Sequence, residues 1–306
     1  MEINSSTHIG PIDLRNPVLV ASGTFGYGDE ISDIVQADKL GGIITKTITL
    51  HPKQGNPPPR IAEVTGGLLN SIGLQNIGAE AFVREKLPAL RQLDTRIIVS
   101  IAGETAEEYE AAAKIISKEK GVSAFELNLS CPNLKKQIVC FDEMLVADII
   151  RKVKAASELP VIAKLSPHVT DIARTAALCK SSGADAVSLV NTFTGMAVDI
   201  RTWKPKIANV TGGLSGPAVK PLALRCVYEV FRRVDIPILG CGGIMTAGDA
   251  VEFFLAGASA VCIGTANFTD PLAPVKIAKG IVDYMKSMKL SSLEQLIGKI
   301  KDKVAK

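Results

Sequence analysis

Ala124-Phe125-Glu126-Leu127-Asn128-Leu129-Ser130-Cys131-Pro132-Asn133 reads as a strand followed by a forced break. Residues 124–129 are apolar except for Glu126 and Asn128, which is the composition of a buried strand. Pro132 has no N–H and biases Cys131 away from helical geometry, so the chain leaves the sheet here. The strand therefore delivers a thiol to the sheet edge, with the carboxamide of Asn128 just before the break. A Cys held on a loop at a strand end is where a reactive thiol is expected. The alternative is a structural Cys, since free Cys is among the most buried residue types. The rest of the chain decides between them.

Short apolar runs recur at residues 17–21, 42–45, 96–101, 124–129, 160–165, 186–190, 236–239 and 260–263. Between them, residues 79–93, 105–118, 142–156, 171–182, 220–233 and 246–256 space their apolar side chains as helices do. Strand and helix alternating in this way predict an α/β fold, a (β/α)8 TIM barrel. Ser182-Gly183-Ala184-Asp185 and Ala256-Gly257-Ala258-Ser259 read as helix stops followed by strands. Residues 2–16 precede the rhythm and suit a β-hairpin turning at Gly10-Pro11. A doubly wound open sheet is the alternative, weakened because no G-x-G-x-x-G follows the first run. Two connections, 46–78 and 191–217, are too long for simple loops, and ordered insertions of that length usually cover a site. No domain linker, low-complexity segment or further repeat is visible, so residues 1–306 are expected to form a single barrel domain.

Composition narrows the function. The net charge of +4 carries no basic run with interleaved aromatics, so nucleic acid is not suggested. The Lys-rich end, residues 299–306, reads as a solvated helix end. The first residues show no signal peptide, and no stretch is apolar enough to span a membrane. Cysteines at 131, 140, 179, 226, 241 and 262 form no C-x-x-C pair, which argues against zinc or an iron–sulfur cluster held by this chain alone. Cys179, Cys226, Cys241 and Cys262 lie in apolar helix or strand patterns and read as core, and a reducing cytoplasm is the simplest setting. His8, His51 and His168 are scattered and read as surface or structural residues.

In barrels of this kind the active site lies at the carboxyl ends of the strands. The residues there are Ser22-Gly23, Lys46-Thr47, Ser100, Asn128 with Cys131, Lys164, Asn191-Thr192, Gly242-Gly243 and Gly264-Thr265. This ring of amides, ammonium groups, hydroxyls and glycines lacks the ligands of a metal hydrolase and the acid pair of a glycosidase. It suits an electron-rich, planar, polar ligand. Glycines after the seventh and eighth strands fit a phosphate site built from backbone N–H groups, or simple turns. Lys46 and Lys164 end apolar strands and would repel each other unless an anion lies between them; the alternative is lysines snorkelling at strand ends. Asn128 and Asn191 each offer donor and acceptor together, which suits an amide- or imide-like substrate, or turn chemistry.

With these residues assembled, the chain resembles the class 1 dihydroorotate dehydrogenases, and more narrowly the catalytic subunit of the class 1B, NAD-linked form. The resemblance runs nearly end to end: Asn16-Pro17 through Gly26, Lys46-Thr47, Gly55-Asn56-Pro57, Leu69 through Asn76, Asn128 through Asn133, Lys164-Leu165-Ser166-Pro167, Asn191-Thr192, Gly212 through Gly216, Gly240 through Ile244, and Gly264 through Phe268. Ser166 resembles class 1B, since class 1A tends to have a second Pro there. The resemblance implies FMN-dependent oxidation of (S)-dihydroorotate to orotate in pyrimidine (UMP) biosynthesis. It implies that Cys131 is the general base and that hydride passes to the flavin, and a thiol with a somewhat lowered pKa suits that proton. It implies substrate contacts from Lys46, Asn70, Ser71, Ile72, Gly73, Leu74, Asn128, Asn191 and Thr192. It implies FMN contacts from Ser22, Lys46, Thr47, Ser100, Asn128, Lys164, Val190, Gly216, Gly242, Gly243, Gly264 and Thr265. It also implies a partner subunit carrying FAD and a 2Fe-2S cluster that passes electrons to NAD+, in a heterotetramer of two catalytic and two electron-transfer subunits. Two departures stand out. Ser100 occupies a position where the family usually has Asn, and residues 134–140 lack the glycine pair common in the Cys-bearing loop. The alternatives are a dihydropyrimidine dehydrogenase-like flavoprotein subunit, which acts on a ring without the carboxylate, and a non-catalytic flavin-binding barrel.

Overall fold

The computed structural model describes residues 3–28, 36–130 and 138–301. Eight parallel strands close into a barrel in chain order: Val18–Val20, Gly42–Ile44, Arg96–Ile101, Ala124–Asn128, Val161–Lys164, Ala186–Leu189, Ile238–Cys241 and Ala260–Ile263. They are called the first to eighth strands below. The predicted (β/α)8 barrel is thus the observed architecture.

Alternation along these strands sorts the apolar side chains into two cores. Ile97, Val99, Phe125, Leu127, Val161, Ala163 and Val187 point outward and pack against the surrounding helices. Leu19, Ile44, Ile98, Ala124, Ile162, Ala186, Leu239, Ala260 and Cys262 fill the barrel. The predicted hairpin, Thr7–Ile9 with Ile12–Leu14, contributes Ile9, Ile12 and Leu14 to this inner core. Thr7 Oγ1 donates to Ser259 O over 3.0 Å, which places the hairpin at the amino end of the eighth strand. The amino end of the barrel is therefore closed by apolar packing, and the polar chemistry is left to the carboxyl end.

The helices begin where their caps dictate. Asp142 accepts from Leu145 N ahead of Glu143–Ala156, whose Val146, Ile149, Ile150 and Val153 form the buried stripe. Thr246 and Asp249 form a capping box on Ala247–Ala256, and Gly257 ends that helix at φ 117°.

Three expectations need correction. The helix expected over 79–93 is interrupted, running Ala79–Ala81, a π-turn at Phe82–Lys86, then Leu87–Leu90. Pro88 has no N–H for the preceding turn, and a wider turn accommodates the lost bond. The seventh strand begins at Ile238, two residues later than its apolar run, because Pro237 cannot donate to the ladder. Residues 299–301 are not helical, since Gly298 at φ 69° turns the chain first; residues 302–306 lie outside the described residues. Ala266–Thr269 and Ala273–Ser287 are helices that the apolar rhythm did not single out.

The two long insertions do not act separately. Ile61–Val64 and Gly67–Asn70 from the first join Phe193–Met196 and Thr211–Ser215 from the second in one four-stranded antiparallel sheet. Thr192, at the sixth strand's exit, abuts this sheet: a Cβ on Gly213 would meet its Oγ1 at 2.1 Å. Among the described residues no helix is long and apolar enough to cross a membrane.

Candidate active site

Two residues beyond the apolar inner layer, the second to fifth strands turn polar on the same face. Ser100 follows Ile98, Glu126 and Asn128 follow Ala124, Lys164 follows Ile162, and Lys46 follows Ile44. The alternation that fills the barrel floor with hydrocarbon thus lines its mouth with donors and acceptors.

Hydroxyls and amides at the strand exits form a continuous circuit. Ser22 Oγ lies 3.1 Å from Thr47 Oγ1, and Thr47 Oγ1 lies 3.0 Å from Ser100 Oγ. Asn128 Nδ2 donates to Thr47 Oγ1 at 3.4 Å. Asn191 Nδ2 donates to Asn128 Oδ1 at 3.1 Å and also to Ser130 Oγ. Ser130 Oγ in turn donates to Asn128 Oδ1 at 2.8 Å. Thr192 N donates to Asn191 Oδ1 at 2.8 Å, which fixes that amide from its other end. The circuit links the exits of the first, second, third, fourth and sixth strands. Ser100 is fully buried and joins the circuit through its hydroxyl, which meets Thr47. Tyr109 reaches in from its helix, and its hydroxyl donates to Asn128 O at 2.8 Å.

Lys164 lies under this circuit. It is buried, and its Nζ is 3.5 Å from Glu126 Oε1, on a carboxylate with no solvent exposure. Burial alone would lower the Lys164 ammonium, but Glu126, with Cys241 and Cys262 beside it, outweighs that and holds it above the ordinary lysine range. Cys241 and Cys262 are partners in register across the seventh and eighth strands. The hydrogen bond from Cys262 lowers Cys241, while burial pushes Cys262 up.

On the opposite rim, Gly242 and Gly243 leave the seventh strand at φ 133° and 73°. A Cβ on Gly243 would meet Lys220 N at 2.6 Å, so only glycine permits this close turn onto the helix Lys220–Arg233. At Gly264 a Cβ would meet Ala21 Cβ at 3.7 Å and Thr24 Cγ2 at 3.8 Å, ordinary contacts that leave the backbone beside the eighth strand uncrowded. Thr265 Oγ1 donates to Ser215 Oγ at 2.8 Å, joining this rim to the insertion sheet. Gly216 follows at φ 105°. Val190 is buried, and its N donates to Cys241 O at 2.8 Å.

The insertion residues are held less directly. Asn70 Nδ2 donates to Gly213 O at 3.2 Å across the sheet. Ser71 is nearly buried and accepts from Asn56 Nδ2 at 2.8 Å, and Ile72 O accepts from Asn56 N at 3.0 Å. Gly73 lies against Asn56, and Leu74 takes φ 56°. The structure therefore ties Ser71, Ile72 and Gly73 to the 53–56 segment, outside the hydrogen-bonded circuit. Lys46 is half-buried, and its N donates to Gly26 O at 2.9 Å.

Cys131, the expected base, lies outside the described residues, as do residues 132–137. Cys140 is not a competing nucleophile. It is buried, its N donates to Leu129 O at 2.9 Å, and burial pushes its thiol up to about 12. The five cysteines among the described residues, Cys140 with Cys179, Cys226, Cys241 and Cys262, are all buried free thiols. His168 Nε2 accepts from Thr194 N at 2.9 Å and pins the start of the insertion sheet, a structural role as expected. Among the described residues no group of three or more His, Cys, Asp or Glu could hold a metal ion.

Sequence reasoning passed over Glu126, Ser130, Ser215 and Asn56 as site residues. Glu126 carried a signal, being a carboxylate inside an otherwise apolar strand. Ser130 carried one too, between Asn128 and Cys131. Asn56 gains Ser71 from within its own insertion, and Ser215 gains Thr265 from the exit of the eighth strand, contacts that only the folded chain makes.

Comparison with known proteins gives the same answer. A family profile described as Dihydroorotate dehydrogenase matches residues 5–285. The chain is 54% identical over 295 residues to "Dihydroorotate dehydrogenase B (NAD(+)), catalytic subunit" of Endomicrobium trichonymphae, covering 96% of each chain. It is 52% identical over 298 residues to the protein of the same description from Geotalea daltonii, covering 97% of this chain and 98% of that one. It is also 52% identical to the one from Geobacter sulfurreducens, over 96% of this chain and 97% of that one. A barrel whose mouth is lined with amides and hydroxyls over a buried lysine, matched at this identity over nearly its whole length, belongs to the dihydroorotate dehydrogenase family, among its B-type catalytic subunits.

Proposed function

We propose that this chain oxidises dihydroorotate to orotate in pyrimidine biosynthesis, as the FMN-bearing catalytic subunit of an NAD+-linked dihydroorotate dehydrogenase. The observation that carries the reading is the circuit in which Thr47 meets Ser22, Ser100 and Asn128, and Asn128 meets Asn191, with the buried Lys164 in register with Asn128.

The residues present fit a flavin. Lys164 has three donors, and its bond to Glu126 is long at 3.5 Å, so donor capacity remains for a ligand above it. Gly243 and Gly264 keep the far rim free of side chains where a phosphate needs close backbone approach. Gly242, Gly243, Gly264, Thr265 and Gly216 would hold the phosphate end. Ser22, Lys46, Thr47, Ser100, Asn128, Lys164 and Val190 would hold the ring. The chemistry that FMN supplies when bound is acceptance of a hydride.

The chain's own residues do the rest. Asn128, Asn191 and Thr192 orient a flat, amide-rich ring through fixed donors and acceptors. Asn70, Ser71, Ile72, Gly73 and Leu74 close over it from the insertion, and Lys46 meets its carboxylate. Cys131 removes the proton from the ring carbon next to the carbonyl. Ser130, held by Asn128 and Asn191, fixes the backbone at the residue before that thiol. A partner subunit carrying FAD and a 2Fe-2S cluster takes the electrons on to NAD+, in a heterotetramer of two catalytic and two electron-transfer subunits in the cytoplasm. The relatives' description as catalytic subunits of NAD(+)-linked enzymes supports that division of labour.

The test is spectral. Anaerobic dihydroorotate is expected to bleach the flavin absorbance of the loaded chain, while Cys131→Ala stays oxidised. A parent flavin left oxidised by dihydroorotate and bleached by dihydrouracil would replace this reading with the dihydropyrimidine one.

A further inference from the structure

Glu126 is the one carboxylate on the inner face of the barrel strands among the described residues, and the circuit above does not use it. It points inward two residues above Ala124, has no solvent exposure, and stands 3.5 Å from Lys164 Nζ. Its Oε2 has no hydrogen-bond partner among the described residues, and neither has Ser188 Oγ, whose residue is Lys164's register partner on the sixth strand. A carboxylate this buried and this poorly bonded is costly to keep charged unless a cation faces it. The cost runs both ways: an ammonium sealed in a barrel gives up its proton readily unless an anion stays beside it. The titratable groups facing Lys164 are Glu126 from the fourth strand, Cys241 from the seventh and Cys262 from the eighth. The neighbours in register, Asn128 and Ser188, are neutral. Glu126 is therefore the one carboxylate that faces it.

We propose that Glu126 is a positioning residue for the oxidation: it keeps Lys164 charged and directed at the barrel mouth, so that a fixed cation faces the ring bound there. This rests on the reading of Lys164 as a flavin contact. Glu126 touches neither substrate nor cofactor and acts through Lys164.

The test compares FMN-loaded parent, Glu126→Gln, Glu126→Asp and Lys164→Met chains. Side-chain NMR of labelled lysine, assigned by its loss in Lys164→Met, follows the Lys164 ionisation, and the flavin midpoint potential is recorded against pH. The parent Lys164 is expected to stay protonated past the ordinary lysine range. In Glu126→Gln its proton affinity is expected to fall by about 100-fold or more, and the potential to gain a pH dependence over the same range. Glu126→Asp, which keeps the charge on a shorter arm, should restore most of the parent profile, and Glu126→Met, which also removes the charge, carries the test if the Gln variant does not fold. A purely structural Glu126 would lower thermal stability and leave both titrations unmoved, and that result overturns the proposal. A Lys164→Met chain with the parent's potential overturns the flavin reading, and the positioning role with it. An unmoved Lys164 titration in Glu126→Gln overturns the positioning role alone.

Discussion

Asn191 Nδ2 donates to Asn128 Oδ1 over 3.1 Å, tying the exit of the sixth strand to that of the fourth across the top of the fifth. Each carboxamide thereby fixes the other's orientation, and Ser130 completes the triangle. Removing either amide is expected to lower kcat/KM for dihydroorotate by roughly tenfold, or about 1.4 kcal/mol of transition-state stabilisation. Because the two act as one unit, Asn128→Ala/Asn191→Ala should lose less than the product of the single losses, with a coupling of about 0.5 kcal/mol or more. Strictly multiplicative losses in steady-state kinetics would show that the amides work independently.

Thr47 is the hub of the circuit, with Ser22 at 3.1 Å, Ser100 at 3.0 Å and Asn128 at 3.4 Å, while Ser100 Oγ shares one of those bonds. Both side chains are buried. Thr47→Ala leaves several buried groups short of a partner and should cost on the order of 2–3 kcal/mol; Ser100→Ala should cost about 1 kcal/mol. Denaturant unfolding midpoints of the two variants check the order. Equal losses would mean that the circuit has no hub.

Two glycines near the same rim should respond oppositely to alanine. Gly243 has φ 73°, and its Cβ would meet Lys220 N at 2.6 Å, so Gly243→Ala should destabilise by more than about 1 kcal/mol and release flavin. Gly248 lies on the helix Ala247–Ala256, where a Cβ would meet only Thr246 Oγ1 at 3.6 Å. Gly248→Ala should stabilise by about 0.5–1 kcal/mol. Thermal melts with flavin fluorescence read both effects, and a stabilised Gly243→Ala would contradict the proposed backbone cradle.

Burial of Cys140 makes an alkaline prediction. Its thiol is pushed from the ordinary 9.0 up to about 12 by desolvation, so above pH 9 the unfolded chain has lost a proton that the folded chain keeps. Protons bound are then fewer in the unfolded state, and stability falls as pH rises, by about 1.4 kcal/mol per pH unit from this group until about pH 12. Below pH 9 the contribution is fully present. Cys179 is shifted in the same direction, again by burial. Cys140→Ala should therefore show a shallower alkaline decline in unfolding free energy than the parent. An identical slope would mean that the thiol ionises in the folded chain.

The sequence alone determined the barrel and the identity of the groups at its mouth. Short apolar runs alternating with helical spacing leave few ways to bury both faces of each strand, and strand ends are local features. Ser22, Thr47, Asn128, Lys164 and Asn191 were legible for that reason. What the tertiary structure decided is how those groups meet. Hydrogen bonds such as Asn191 to Asn128 and Thr265 to Ser215 join residues 63 and 50 positions apart, and no local pattern encodes them. The merger of two insertions into one sheet is likewise a pairing of backbones distant in the chain. The break in the helix over 79–93 came from one proline overriding a good apolar pattern. Glu126 was visible as an exception in its strand, but only closure of the barrel turned it inward and set it beside Lys164, since alternation assigns a face and packing decides what that face meets.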